Sequence, residues 1–284
     1  MDWVLLAIGA SFMAAIQTEL NHHYKIEGTL LVFWRSVFGL LLLTPLLFIF
    51  PMPMTGLFYA LGIGAGVLAT FSDKLYYNAA RQFGGRLAVM YLPIKIFGAF
   101  IIWSLIEPAS IANLVHDPLR FVAVVGCLVL CSLSLMMMRR NDASWRAFLY
   151  VVPVGIILTL CDIAAKLALA EDVDFIGGVV MFTMLMMVMC GLITGWNLLN
   201  KRVPKKAFRD ARLPSLYICL AFCAMVILII AAIHLTPNPG YTNALALLAV
   251  VWLMLYNRLR GKPDGSVVSA LMLVVAAAGI VLLV

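Results

Sequence analysis

Between residues 175 and 199 the chain reads FIGGVVMFTMLMMVMCGLITGWNLL, without one Asp, Glu, Lys, Arg or His. About twenty apolar residues of α-helix cover a hydrocarbon core about 30 Å thick. Only helices and closed barrels satisfy every backbone polar group inside it. This run is therefore read as a membrane span, and it sets the standard for the rest of the chain. Nine others meet it: Trp3 to Leu20, Gly28 to Phe50, Gly56 to Tyr76, Leu87 to Ile106, Leu119 to Met138, Phe148 to Ala170, Leu213 to Leu235, Tyr241 to Tyr256 and Val267 to Val284. Helix breakers stand between them at Pro51-Met52-Pro53, Gly84-Gly85, Asp117-Pro118, Pro204, Pro237-Asn238-Pro239-Gly240 and Gly261-Lys262-Pro263. The expected fold is an all-α polytopic membrane protein with ten transmembrane helices.

Composition agrees with the spans. Of 284 residues, 64% are hydrophobic and 12% charged, against about 45–50% and about 25% in ordinary globular domains. A water-soluble enzyme is excluded, and the connectors are too short to hold a soluble domain. The net charge of +7 is spread over short loops, with no aromatic-interleaved basic face of the kind that binds nucleic acid. Cys127, Cys131, Cys161, Cys190, Cys219 and Cys223 all lie inside apolar runs, where a thiol packs as a small hydrophobe. No disulfide framework is expected. The opening Met1-Asp2-Trp3 has no basic stretch before its apolar run, so a cleaved signal is not expected.

Lys and Arg collect in cytoplasmic loops. Here they fall in the odd-numbered loops: Lys25; Arg81 and Arg86; Arg139, Arg140 and Arg146; Lys201, Arg202, Lys205, Lys206, Arg209 and Arg212; Arg258, Arg260 and Lys262. The even loops and both termini hold Arg120 beside Asp2, Glu107, Asp117, Glu171, Asp172 and Asp174. Both termini are thus expected on the non-cytoplasmic side. The basic connector 139–147 divides the chain into five spans (1–138) and five more (148–284). An odd number of spans per half makes two copies insert with opposite polarity, the inverted-repeat plan of transporters. Leu87-Ala88-Val89 to Ile106 lines up with Asn243-Ala244-Leu245 to Arg258, and the Gly126 helix with the Gly279 helix.

Several stretches carry a resemblance: Trp34-Arg35-Ser36, Leu75-Tyr76-Tyr77-Asn78-Ala79-Ala80, Tyr91-Leu92-Pro93 reaching Glu107, the helix with Gly126, and the closing Ala278-Gly279-Ile280-Val281-Leu282-Leu283. Over nearly its whole length the chain resembles the drug/metabolite transporter superfamily, in particular its EamA-like members. The resemblance implies a ten-helix basket and secondary transport or export of small metabolites. It also implies a central cavity lined by both halves, in a bacterial inner membrane.

A charge at mid-bilayer costs about 2.5–3.5 kcal/mol on insertion scales, so those that persist face a cavity or a partner. They are Arg35, Asp73, Lys74, Lys95, Asp162 and Lys166, with Glu19 near a span end. At about 1.5 Å per residue, Arg35 lies roughly 10 Å and Lys95 roughly 12 Å from the expected cytoplasmic ends of their helices. The two are expected in one layer, as cations drawing an anionic group, with Pro93 opening the helix before Lys95. The alternative for Lys95 is snorkelling or pairing with an acid from another helix, such as Glu19; for Arg35 it is a hold on neighbouring carbonyls. Asp162 and Lys166, four apart, are expected either to neutralise one another or to carry a coupling proton on Asp162. Lys74 beside Arg81 and Arg86 is read as a basic entrance or a solvated rim.

Trp34, Tyr76, Tyr77, Tyr91, Tyr241 and Trp252 are candidates for cavity walls, with interfacial belts as the alternative. His234 reads as a titrating group or a satisfied interfacial residue, the pair His22-His23 has no third ligand in reach for a metal, and the Met184 to Met189 and Met136 to Met138 clusters read as packing or lipid-facing surface. No phosphate loop, paired-His motif or nucleophile elbow is present, and neither catalysis, metal nor cofactor is expected. The leading function is a secondary transporter or exporter of a small organic solute, anionic or zwitterionic. The alternative is a flippase for a lipid-linked or lipid-phosphate substrate. Expected partners are that small-molecule or lipid substrate and membrane lipids, with a homodimer left open and nucleic acid excluded.

Overall fold

The computed structural model describes residues 2–53, 55–83, 91–137, 145–170, 174–201, 203–261 and 266–284. All regular structure among them is helical. In chain order the helices are α1 (Asp2–Tyr24), α2 (Gly28–Leu43), α3 (Gly56–Phe83), α4 (Leu92–Ile106), α5 (Ala109–Val115), α6 (Pro118–Met137) and α7 (Trp145–Ala170). There follow α8 (Phe175–Asn200), α9 (Lys205–Asp210), α10 (Arg212–Leu235), α11 (Pro239–Ala246), α12 (Leu248–Leu259) and α13 (Val267–Leu283). Eight helical stretches among the described residues are long and apolar enough to cross a membrane, as in a polytopic membrane protein. Two apolar helices, α4 and α13, are shorter at 15 and 17 residues. At about 1.5 Å per residue they extend roughly 22 and 26 Å.

The surface is that of a protein in lipid. Leu5, Phe48, Leu105, Leu119, Leu199 and Leu282 are among the large apolar side chains pointing outward, while Ser11, Thr70, Thr183, Thr194 and Ser215 are buried. The buried hydroxyls of Ser36, Thr70, Thr183 and Thr194 donate to the carbonyl four residues back, which satisfies them within their own helix.

Helices meet where small residues let them. The pair Gly62 and Gly66 on α3 faces α8: a Cβ on Gly66 would lie 2.9 Å from the backbone Cα of Met186, and one on Gly62 would lie 2.7 Å from the Leu185 side chain. This is the small-xxx-small spacing by which membrane helices approach closely. The most extensive contacts are α1 along α10 and α3 along α7; α2 and α3 both line α8, α6 pairs with α13, and α4 lies against α7 and α11.

Element ends differ from the expected ones for local reasons. The second run does not continue as α-helix to Phe50. The α-helix ends at Leu43 and tightens into a 3-10 segment, Thr44–Phe48, because Pro45 lacks an N–H and its ring clashes with the preceding turn. The ninth run is two helices, broken at Leu247, whose N–H donates to Ala244 at 3.2 Å and whose carbonyl accepts from Val250 at 3.0 Å. α7 begins at Trp145, three residues inside the connector drawn at 139–147. The rest of that connector, with the Leu87 start of the fourth run, Met138, Arg139, Arg140, Arg202 and Lys262, lies outside the described residues.

Candidate functional site

Two ion pairs sit among the packed helices. The Arg35 guanidinium on α2 is paired with the Asp73 carboxylate on α3, and its other terminal nitrogen donates to the Tyr77 hydroxyl at 3.3 Å. Its carbon lies 3.7 Å from the centre of the Phe222 ring on α10, a cation–π contact strengthened by burial. Arg35 is 2% exposed.

In the second pair the Lys95 ammonium on α4 lies 3.0 Å from Asp162 Oδ2 on α7. Asn243 on α11 donates from its side-chain amide to the same oxygen at 2.7 Å. Close approach of α4 and α7 makes this reach possible. A Cβ on Gly155 would lie 2.9 Å from the Tyr91 carbonyl oxygen, so any larger residue there would push the helices apart. One turn further on, the Thr159 hydroxyl donates to Gly155 at 2.9 Å and contacts the Lys95 carbonyl at 3.4 Å.

The space between the pairs is occupied by polar aromatics. Tyr76 makes edge contacts with Tyr77 and Tyr91, ring centres 5.3 and 5.8 Å apart. Tyr91 and Cys161 each lie within electrostatic reach of both Asp73 and Asp162. The pairs therefore belong to one polar region, built from α2, α3, α4, α7 and α11. Asp73, Lys74, Tyr76, Tyr91 and Lys95 are only partly buried within it.

Several expectations are corrected by this geometry. Arg35 and Lys95 do not form an uncompensated cationic layer: each has a carboxylate from a neighbouring helix, because two buried cations would otherwise carry their full desolvation cost. Lys95 pairs with an acid from another helix, the expected alternative, but that acid is Asp162 and not Glu19, which instead lies 3.9 Å from Arg260. Lys95 stands in the first turn of α4 as described, and Pro93 occupies that same turn, where its missing N–H costs nothing. Pro93 thus lies in the first described turn of α4, and the residues that precede Tyr91 lie outside the described ones.

Asp162 and Lys166 do not neutralise each other. The Lys166 ammonium donates to the carbonyls of Ile233 at 3.0 Å, His234 at 3.3 Å and Thr236, closing the C-terminal end of α10, where a cation complements the helix dipole. It also sits 5.0 Å from the Trp103 ring centre.

Trp34 turns away from the polar region. It stacks on Phe38, packs against Phe208 and donates its indole N–H to the Phe208 carbonyl at 3.1 Å. Consecutive residues of a helix point about 100° apart, so Trp34 and Arg35 cannot share a target. Trp252 donates to Ser11 at 3.0 Å, and Tyr241 is buried against Phe100. Lys74 lies within electrostatic reach of Lys201, on the side of the basic loops. Asp73 and Asn243 are the residues that sequence reasoning underused. The signal for Asp73 was a carboxylate inside an apolar run, and the signal for Asn243 was an amide inside another.

No family model matches the chain, and no curated protein does. Nineteen chains of solved structure match it. One, a crystal structure, superposes with a TM-score of 0.65 at 14% identity, over 99% of this chain and 97% of its own. At that identity the likeness is one of fold.

Proposed function

We propose that the chain is a secondary transporter or exporter of a small zwitterionic or anionic organic metabolite, of the EamA-like kind within the drug/metabolite transporter superfamily. In this reading α4 and α13 join the eight longer spans to make ten, arranged as two inverted five-span repeats. Both termini lie outside a bacterial inner membrane. The packing supports the repeat. Shifting every span by five carries the α1–α10 contact onto α7–α3 and returns α2–α8, α6–α13 and α4–α11 to themselves.

The observation that carries the function is the Lys95–Asp162 pair, which joins a helix of the first half to one of the second, with Asn243 completing it. Both pairs are balanced in charge. A solute carboxylate reaches Lys95 only by displacing Asp162, and the carboxylate so released takes either the solute's own ammonium group or a proton. Exchange of partners at one ion pair thus couples solute binding to a change in contact between halves, as a carrier requires.

The test is binding and counterflow with purified protein in liposomes, screened over amino acids, organic anions and lipid phosphates. The expected result is saturable exchange of a small solute that Lys95→Met abolishes. Lipid scrambling without solute flux would favour the flippase reading, and flux unchanged in Lys95→Met and Asp162→Asn would end the proposal.

A further inference from the structure

α10 carries Cys219 and Cys223 one turn apart, and their sulfurs meet at 3.6 Å. α8 adds a third sulfur from across the seam. The Met187 Sδ occupies the position that a Cβ on Gly39 of α2 would need, and Cys223 Sγ lies 3.4 Å from the same point. Gly39 thus makes the room in which the thioether approaches the thiols. All three sulfur side chains are buried, together with Met184, in one cluster. Cys219 also donates to the Arg35 carbonyl at 3.2 Å.

Thiols and a thioether are soft donors, the set that holds Cu(I), whereas Ca²⁺ and Mg²⁺ take oxygen ligands. Among the described residues no three His, Cys, Asp or Glu side chains are grouped to hold a metal. The third donor here is a Met, which stands outside the Cys, His, Asp and Glu set that binds zinc. At about 2.3 Å per metal–sulfur bond, an ion bridging two sulfurs 3.6 Å apart subtends an angle of about 100° between them. The thiol pair is therefore already set at a bridging distance.

Charge selects the ion as well. A cysteine ligand binds as its thiolate and releases a proton. Cys223 gives up that proton to water, while Cys219 keeps its own for the Arg35 carbonyl. One monovalent cation in and one proton out leave the charge of the buried cluster unchanged, so the Arg35–Asp73 pair is not disturbed. A way in is built along the same helix. Ala211, Ser215, Cys219 and Cys223 recur every four residues and form one ridge. Ala211 lines a cleft of about 480 Å³ between the α1–α2 turn and α9. The buried Ser215 hydroxyl, one turn before Cys219, has no hydrogen-bond partner among the described residues, and gives an entering ion a polar step between cleft and sulfurs.

We propose that Cys219, Cys223 and Met187 form a resident site for one soft monovalent metal ion, Cu(I), which ties α8 to α10 against Gly39 of α2. The ion is not the transported solute, and the inference stands whether or not the chain is a transporter.

The test uses the full chain purified in a nonionic detergent without oxygen and titrated with Cu(I) in competition with a chromophoric Cu(I) chelator. One equivalent is expected to stay with the protein, and excess Zn(II) should not displace it. Loss of even an outer partner of a metal site costs about 10–100-fold in affinity, so Met187→Leu, which keeps the volume and removes the sulfur, should weaken retention by at least about tenfold. The C219S/C223S variant should abolish it. The C127S/C131S variant, altered at a pair of the same spacing on α6, should retain it in full. X-ray absorption at the copper edge of the unaltered protein, which asks no variant to fold, should show sulfur neighbours alone. No retention by the unaltered protein, displacement by Zn(II), nitrogen or oxygen neighbours, or retention undiminished in C219S/C223S overturns the proposal.

Discussion

Lys95 on α4 and Asp162 on α7 meet at 3.0 Å, and Asn243 on α11 closes on the same carboxylate oxygen at 2.7 Å. Three helices that are distant in sequence are held by one oxygen atom. Removing one partner of a buried pair leaves an uncompensated charge and costs about 3–5 kcal/mol, whereas replacing both by apolar residues is often neutral. Lys95→Met and Asp162→Leu are each expected to destabilise the protein by that amount. The double variant should recover most of the unfolding free energy while solute flux stays lost. Flux recovering along with stability would assign the pair a purely structural role.

Asn243→Ala leaves the Lys95–Asp162 contact in place and removes a hydrogen bond to a charged group, a loss of about 1.5–3 kcal/mol. The expected outcome is a folded protein with a lowered unfolding midpoint and weakened solute binding. Asn243→Gln, which keeps the amide but lengthens its stem, should not restore binding. Binding isotherms on the two variants check this.

Lys166→Ala strips three carbonyls at the end of α10 of their donor. Unpartnered buried acceptors cost about 1–3 kcal/mol each, so the melting temperature should fall sharply. Propylammonium chloride supplies the missing ammonium and stem, and is expected to restore part of the loss. Sodium chloride at the same ionic strength should not. Melting curves in the two salts decide the matter.

Gly66→Ala drives a methyl group against the Met186 backbone, whereas Gly64 has no atom within 4 Å of its would-be Cβ. Overpacking costs about 1–3 kcal/mol, so Gly66→Ala should destabilise the α3–α8 seam. Gly64→Ala should be neutral, or stabilising by up to about 1 kcal/mol through helix propensity. Denaturant titration of the two alanine variants side by side measures the difference.

Apolar run length was enough to read the eight long apolar helices from the sequence, because a bilayer demands one element type and one minimum length. Local breaks were less legible. Pro45 announces the end of α2, but nothing in Ala246-Leu247-Leu248 announces the break there, which depends on how α11 packs against α4 and α1. The site was legible in its inventory and not in its pairing. Arg35, Lys95 and Asp162 stand out as charges in apolar runs, yet the partner of each lies on another helix, 38 residues away for Arg35 and 67 for Lys95. Sequence spacing ranks neighbours on one helix and is silent about neighbours across a seam. Hence the i, i+4 pairing of Asp162 with Lys166 was the natural expectation and the wrong one.

The Arg35–Asp73 pair is unevenly wetted: the arginine side chain is 3% exposed and the aspartate 20%. Whatever approaches from the open side touches negative charge first and reaches the guanidinium only after moving the carboxylate aside. For the carrier proposed above, a solute with a basic and an acidic end is therefore expected to arrive sorted by direction, its positive end meeting Asp73 and its negative end left to find Lys95.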